Sequence, residues 1–283
     1  MSARRPPPDA RDLEGVAEAV ARERQITKKR VQQWISYMVL GSQLERTASQ
    51  RDGPTFILKG GVALELRLSG KARATRDIDL IVEPGGNDDL VSALRTALED
   101  SYQDFTFRVK GDTYRMPTGT VRVHVAVQYQ GRAWNTVRVD LSPKEGHRLE
   151  VELVEPLDLS QFQLEPASSL PCLSVRYHLA HKIHGMTRPS TVDHPNERVN
   201  DLIDIFLLRR LLPDGELERV REACVEVFEV RAQHGWPPSF SPPDAWREEF
   251  EARAAELGLT VTRFDDAVHQ VREYLEEIDA GGA

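Results

Sequence analysis

Two kinds of hydrophobic spacing divide this chain. From Asp9 to about Arg24 the apolar positions Leu13, Val16, Ala17 and Val20 recur at helical intervals, and Asp9 or Asp12 stands where a capping side chain belongs. Val31, Trp34, Ile35, Met38 and Leu44 form the stripe of a second helix, expected over Thr27–Ala48. The period then shortens. Thr55–Leu58 and Ile78–Val82 are short apolar runs that bracket a helix at Val62–Leu68, and a turn at Pro84–Asn87 leads into a helix over Asp88–Glu99. Strands are expected at Phe105–Lys110, Tyr114–Met116, Val121–Gln128 and Asn135–Leu141, with Leu149–Val154 as a further edge strand. Val121-Arg-Val-His-Val-Ala-Val127 and Val137-Arg-Val-Asp-Leu141 alternate strictly, as strands with one buried face do.

After Pro156 the pattern changes again. Leu164–Pro171 reads as a linker or turn, and everything beyond it reads as helix: Cys172–His184, Asn196–Leu211, Asp214–Val230, Asp244–Leu257 and Arg263–Ile278. Arg188-Pro189, Pro213-Asp-Gly215 and the proline-rich run from Trp236 to Pro243 supply the breaks. The expected fold is therefore α+β, an α/β domain with a mixed sheet followed by a helical bundle. Its expected divisions are N-terminal helices at 1–50 packed on the core, an α/β domain at 51–156 and a helical domain at 157–283.

Composition narrows the classes. With 283 residues the chain has ample length for substantial cores, and its net charge of −8 argues against a general nucleic-acid coating protein without excluding a local basic groove. The cations are mostly Arg, which suits bidentate phosphate contact and equally reflects a GC-rich genome. Two distant cysteines without metal-ligand spacing fit a reducing cytoplasm. No apolar run has the length of a membrane span, and the proline-rich residues 1–8 lack the apolar segment of a signal peptide. Lys28-Lys-Arg30 sits at the helix end that disfavours cations, so a solvated surface is expected there over an acidic partner.

Chemistry concentrates in one stretch. Phe56-Ile-Leu-Lys-Gly-Gly61 is a strand running into paired glycines at a helix start, where backbone N–H groups can approach a phosphate. Asp77 and Asp79 then fall two apart at the head of a strand, hence on one face. Two carboxylates held together call for a cation between them, and magnesium is the simplest choice. The alternative is a polar turn ahead of an apolar strand. A third strand-borne acid, Asp140, favours the metal reading.

The glycine turn, the spaced Asp-x-Asp and the later strand acid resemble the nucleotidyltransferase fold of the DNA polymerase β type. More narrowly, Leu58-Lys-Gly-Gly-Val-Ala-Leu-Glu-Leu66 and Arg73-x-Thr75-x-Asp77-x-Asp79 resemble the AbiEii family of type IV toxin–antitoxin systems, which includes the MenT toxins. Lys182 in one C-terminal helix and Arg198-Val-Asn-Asp201-Leu-Ile-Asp204 in the next match its later motifs. Family members often carry Lys where this chain has Asn200. The resemblance implies transfer of a nucleoside monophosphate from an NTP to an acceptor, with pyrophosphate released. Asp77, Asp79 and Asp140 would hold Mg2+ (or Mn2+), with Gly60, Gly61, Arg73, Thr75, Arg76 and Lys182 on the nucleotide and Asp201 orienting Lys182 or the nucleotide. Asp204 is either an outer part of the site or an ion pair. The implied acceptor is the 3′ end of tRNA, whose modification blocks aminoacylation and translation, and a cognate antitoxin is the implied partner. Nucleotidylation or phosphorylation of a protein, and a non-catalytic NTP-binding module, are the other classes this fold admits.

Without the resemblance, Lys182 reads as a solvent-facing lysine on an amphipathic helix whose stripe is Val175, Leu179 and Ile183. His178, His181 and His184 on that helix do not have zinc-ligand spacing.

Overall fold

The computed structural model describes residues 9–51, 55–83, 89–146, 148–191 and 193–281. The turn expected at Pro84–Asn87 and the first residue of the helix expected to follow it lie outside these. Contacts divide the chain into two units, residues 1–144 with 151–172 and residues 145–150 with 173–283.

The first unit opens with α1 (Ala10–Glu23) and α2 (Lys28–Arg51). Asp9 caps α1, its side chain accepting from the Arg11 and Asp12 backbone N–H groups at 2.7 and 3.0 Å, so two of the helix's unpaired donors are satisfied. The stripe residues of α2 are all buried. The basic start of α2 is only partly a solvated surface. Lys28 pairs with Glu14 at 3.2 Å, and Arg30 donates to the Ala72 carbonyl at 2.7 Å and to Glu65 at 3.2 Å. Arg30 thus fastens the chain segment just ahead of the Asp-x-Asp strand.

After α2 come β1 (Thr55–Lys59), α3 (Gly60–Arg67), β2 (Asp77–Glu83), α4 (Leu90–Ala97), β3 (Phe105–Val109), β4 (Tyr114–Arg115), β5 (Val121–Tyr129), β6 (Arg132–Pro143), β7 (Val151–Val154) and β8 (Leu170–Leu173). The sheet has the order β3-β5-β6-β2-β1-β8-β7, with β4 pairing β5 at its side. It is mixed: β2 lies parallel to β6 and antiparallel to β1, while β5 pairs antiparallel with both β3 and β6. Val121, Val123, Val125, Val127, Val137, Val139 and Leu141 all face the core, as their alternation predicts.

One expectation fails here. Leu170–Leu173 is a strand, joined in parallel to β1 through Leu58 and Cys172, and the following helix begins only at Val175. A four-residue apolar run carries no period of its own, and only its pairing partner decides between strand and helix.

The second unit is helical: α5 (Val175–Thr187), α6 (Val199–Arg209), α7 (Leu217–Arg231), α8 (Arg247–Glu256) and α9 (Phe264–Ala280). Its core is built from Leu179, Ile183, Leu202, Ile203, Cys224, Phe228, Phe250 and Val271, all buried. Ser174 caps α5 through the Tyr177 N–H. Asn196 closes the other end of α5, its amide donating to the carbonyls of Gly185, Met186 and Arg188 at 2.8–3.2 Å, which satisfies carbonyls that a helix end leaves unpaired.

Candidate active site

Strand register assembles the acids. Asp79 stands opposite Lys59 on β1 and opposite Asp140 on β6, and Asp140 stands opposite Arg122 on β5. Directly paired residues project to the same face, so Lys59, Asp79, Asp140 and Arg122 form one row across four strands. The neighbouring row holds Asp77, Arg138 and His124. In the first row Lys59 and Arg122 flank the adjacent pair Asp79 and Asp140, and in the second Asp77 stands beside Arg138. Arg122 grips both oxygens of Asp140, at 2.8 and 2.7 Å, and this bidentate contact raises the arginine's pKa above its ordinary value. Arg138 pairs with Asp77. Lys59 donates to Ser142 at 3.0 Å, two residues beyond Asp140.

The paired glycines have a steric reason. Gly60 has φ +62°, and a Cβ there would lie 2.1 Å from Asp79 Oδ2. At Gly61 a Cβ would lie 2.5 Å from Thr75 Oγ1. The start of α3 therefore passes directly against the Asp79 carboxylate and the Thr75 hydroxyl, an approach open only to residues without a side chain. Thr75 is buried, and its hydroxyl donates to Asp77 Oδ1 at 3.3 Å. The Tyr37 hydroxyl donates to the Thr75 carbonyl at 3.3 Å. Burial, with the Asp77 charge next, pushes the Tyr37 pKa up, so it remains a donor. Arg73 is half-buried and Arg76 exposed, both within four residues ahead of Asp77.

The donor set can be tested for magnesium. Among the described residues no three His, Cys, Asp or Glu side chains are grouped to hold a metal by themselves. Magnesium does not require that. It commonly takes one or two carboxylates and completes its shell with water and phosphate oxygens. Asp77 and Asp79, half-buried hard donors on one strand face, fit that demand. Asp140 has both oxygens committed to Arg122, which sets it apart from the other two.

The second unit carries its own charged cluster. The Lys182 ammonium lies 2.7 Å from Asp201 Oδ1 and 2.9 Å from Asp204 Oδ2. Its side chain is 12% exposed, against 5% and 0% for the two acids. The solvent-facing reading of Lys182 thus does not hold: the amphipathic stripe placed the helix correctly but carried no information on what α6 brings against it. Asp204 is buried more deeply than Asp201, and the two acids share one cation. Gly185 leaves the room they need, since a Cβ there would lie 2.6 Å from Asp201 Oδ2. Asn200 accepts from Arg253.

His178 and His184 on α5 are buried, and the His184 ring packs edge-on against Phe228. Burial first, then the Arg231 charge, lowers the His184 pKa to about 3, so the ring is neutral at physiological pH.

Lys59, Arg122, Arg138 and Gly185 are contributors that sequence reasoning did not single out. Arg122 and Arg138 were visible as polar positions in strictly alternating strands, but their assignment to the acids' face required the register. No local signal marks Gly185.

A mixed sheet with strand-borne acids beside a glycine turn, followed by a helical unit, is a polymerase β-like nucleotidyltransferase fold. Within that class, the family model described as nucleotidyl transferase AbiEii toxin, type IV toxin–antitoxin system, matches residues 43–275. The chain belongs to this family. Among solved structures it is similar to MenT4, a nucleotidyltransferase toxin from Mycobacterium tuberculosis H37Rv, with TM-score 0.56 and 16% identity, covering 95% of this chain and 98% of that one. It also matches an antigenic nucleotidyltransferase-like protein from Paracoccidioides brasiliensis, with TM-score 0.41 and 16% identity, over 69% of this chain and 89% of that one. ANT(2″)-Ia in complex with adenylyl-2″-tobramycin gives TM-score 0.42 and 16% identity, over 70% of this chain and 99% of that one. No curated protein sequence matches the chain. Among the described residues, no helix is long and apolar enough to cross a membrane.

Proposed function

We propose that this chain transfers a nucleoside monophosphate from an NTP to the 3′ acceptor end of tRNA, blocking aminoacylation and translation in the cytoplasm until a cognate antitoxin opposes it. The observation that carries this reading is the register that sets Asp77, Asp79 and Asp140 on one sheet face with the Asp79 carboxylate against Gly60. Asp77 and Asp79 would hold Mg2+, or Mn2+ in its place, with Asp140 as the third acid when Arg122 yields it. The metal supplies charge neutralisation at the phosphates. The N–H groups of Gly60 and Gly61, the Thr75 hydroxyl and the Arg73 and Arg76 guanidinium groups are assigned to the triphosphate. Lys182 is assigned as a phosphate-binding ammonium that Asp201 orients, with Asp204 as its second anchor. In this scheme the protein acts by positioning and by charge placement, as phosphoryl-transfer sites generally do.

The test uses the full chain with a tRNA pool, magnesium and each of the four NTPs labelled at the α-phosphate. Label is expected on RNA 3′ ends with release of pyrophosphate, and it should be lost in Asp77→Asn and Asp79→Asn proteins that retain their fold. Label on protein alone, or equal activity in those variants, would refute the reading.

A further inference from the structure

The row that holds the acids does not stop at them. Beyond Asp140 and Arg122 it reaches Tyr114 on β4, which pairs with Arg122 and is 64% exposed, a large aromatic ring left in solvent. On the same outward face, β5 presents Arg122, His124, Ala126 and Gln128, and β3 presents Thr106 and Arg108 opposite Gln128 and Ala126. Arg108, Lys110 and His124 are exposed, and the Lys110 ammonium lies over this face at 3.1 Å from the Thr136 hydroxyl. Their neighbours Phe105, Phe107, Val123 and Val125 point the other way, into the core. Among these outward positions of β3, β5 and β6, Asp140 is the one acid, in a chain whose net charge is −8.

We propose that the outward face of β3, β5 and β6, with Tyr114 at its end, is a docking surface for single-stranded RNA leading to Asp77 and Asp79. Charge complementarity and an exposed ring together select this occupant. Unpaired RNA offers phosphates for Arg108 and Lys110 and flat bases for Tyr114, and a basic track with interleaved aromatics binds single strands without demanding a sequence. A duplex keeps its bases stacked away from such a ring. Strand spacing places Arg108 about 10 Å across and about 13 Å along the sheet from Asp140, a span that a few nucleotides bridge. The inference rests on the acceptor reading above in naming RNA, and it adds which surface receives the strand.

The test measures binding apart from catalysis. A fluorescein-labelled single-stranded RNA of mixed sequence, bearing a 3′-hydroxyl, is titrated with the full chain and followed by anisotropy at several salt concentrations. The variant Arg108→Glu with Lys110→Glu should weaken binding at least tenfold. It should also lower the slope of log affinity against log salt by about 1.4, two contacts at about 0.7 each. Tyr114→Ala should weaken binding at least about fivefold with the slope unchanged. A control of the same charge change on exposed residues elsewhere, Lys29→Glu with Arg210→Glu, should leave RNA binding near wild type. NTP binding, read by equilibrium dialysis, should match wild type in all of them. If the wild type binds RNA and the Arg108/Lys110 and Tyr114 variants bind it equally well, the surface is refuted while the transfer reading stands. If those variants lose RNA binding yet no RNA is ever labelled, the surface stands and the transfer reading falls. If the wild type binds no RNA, and a protein is the labelled acceptor, the surface assignment is overturned.

Discussion

Replacing Gly60 by alanine perturbs the site at a single atom. Gly60 sits at φ +62°, and the new Cβ would fall 2.1 Å from Asp79 Oδ2 and 2.9 Å from its Cγ. Holding an L-residue in the left-handed region costs about 1–2 kcal/mol. Turning the Asp79 carboxylate out of its rotamer adds about 0.5–1.5 kcal/mol. The expected loss is thus about 2–3 kcal/mol. Gly131 separates the two contributions: it lies in the β5–β6 turn at φ +78° with nothing within 4 Å of an added Cβ, so Gly131→Ala carries the backbone cost alone. Urea unfolding of both variants should show Gly60→Ala the less stable by about 1 kcal/mol. Transfer assays should separate them far more, because displacing a reacting-site group by an ångström costs about a hundredfold in rate. Gly131→Ala should retain wild-type transfer and Gly60→Ala should lose about a hundredfold. Wild-type transfer by Gly60→Ala, or equal stability loss in both variants, would refute the placement of Asp79 against the glycine turn.

Three further outcomes are expected. Lys182→Met leaves the Asp201 and Asp204 carboxylates buried without their shared cation and should cost about 3–5 kcal/mol by urea unfolding; adding Asp201→Asn and Asp204→Asn should restore most of that stability without restoring transfer. Unfolded His184 takes up a proton near pH 6.5 while the folded ring stays neutral down to about 3, so the unfolded state binds more protons in that window and stability falls as pH drops through it. His184→Phe should flatten that fall by on the order of 3 kcal/mol between pH 7 and pH 4, read from urea midpoints; an unchanged profile would show that His184 is not buried as described. Burial pushes the Cys172 thiol up to about 12 and raises Cys224 as well, so neither should react with a thiol reagent at about pH 8 in the native protein, while both should react in urea.

How much of this was legible in the chain itself depends on the range of the interaction involved. Helix and strand positions follow from local spacing: the stripes of α2 and α5 and the inward valines of β5 and β6 are buried as their periods require, and so is the α1 stripe apart from the half-buried Val16. Asp77 and Asp79 share a face because a strand alternates with period two, and the paired glycines at a strand end were readable as a close backbone approach. What passes so closely was not readable. That Asp79 lies over Gly60 and Thr75 over Gly61, and that Asp140 stands beside Asp79 with Arg122 beyond it, are facts of register between strands up to about sixty residues apart, and register is set by side chains that meet only after folding. Tertiary structure also turned Leu170–Leu173, expected to be the end of a linker and the start of a helix, into a strand, and Lys182 from a surface cation into one locked between two buried acids. The sequence by itself determined which residue types are present and at what local period. The pairing of strands and helices decided which charges neutralise one another, because a carboxylate's partner is fixed by distance in space and not by distance along the chain.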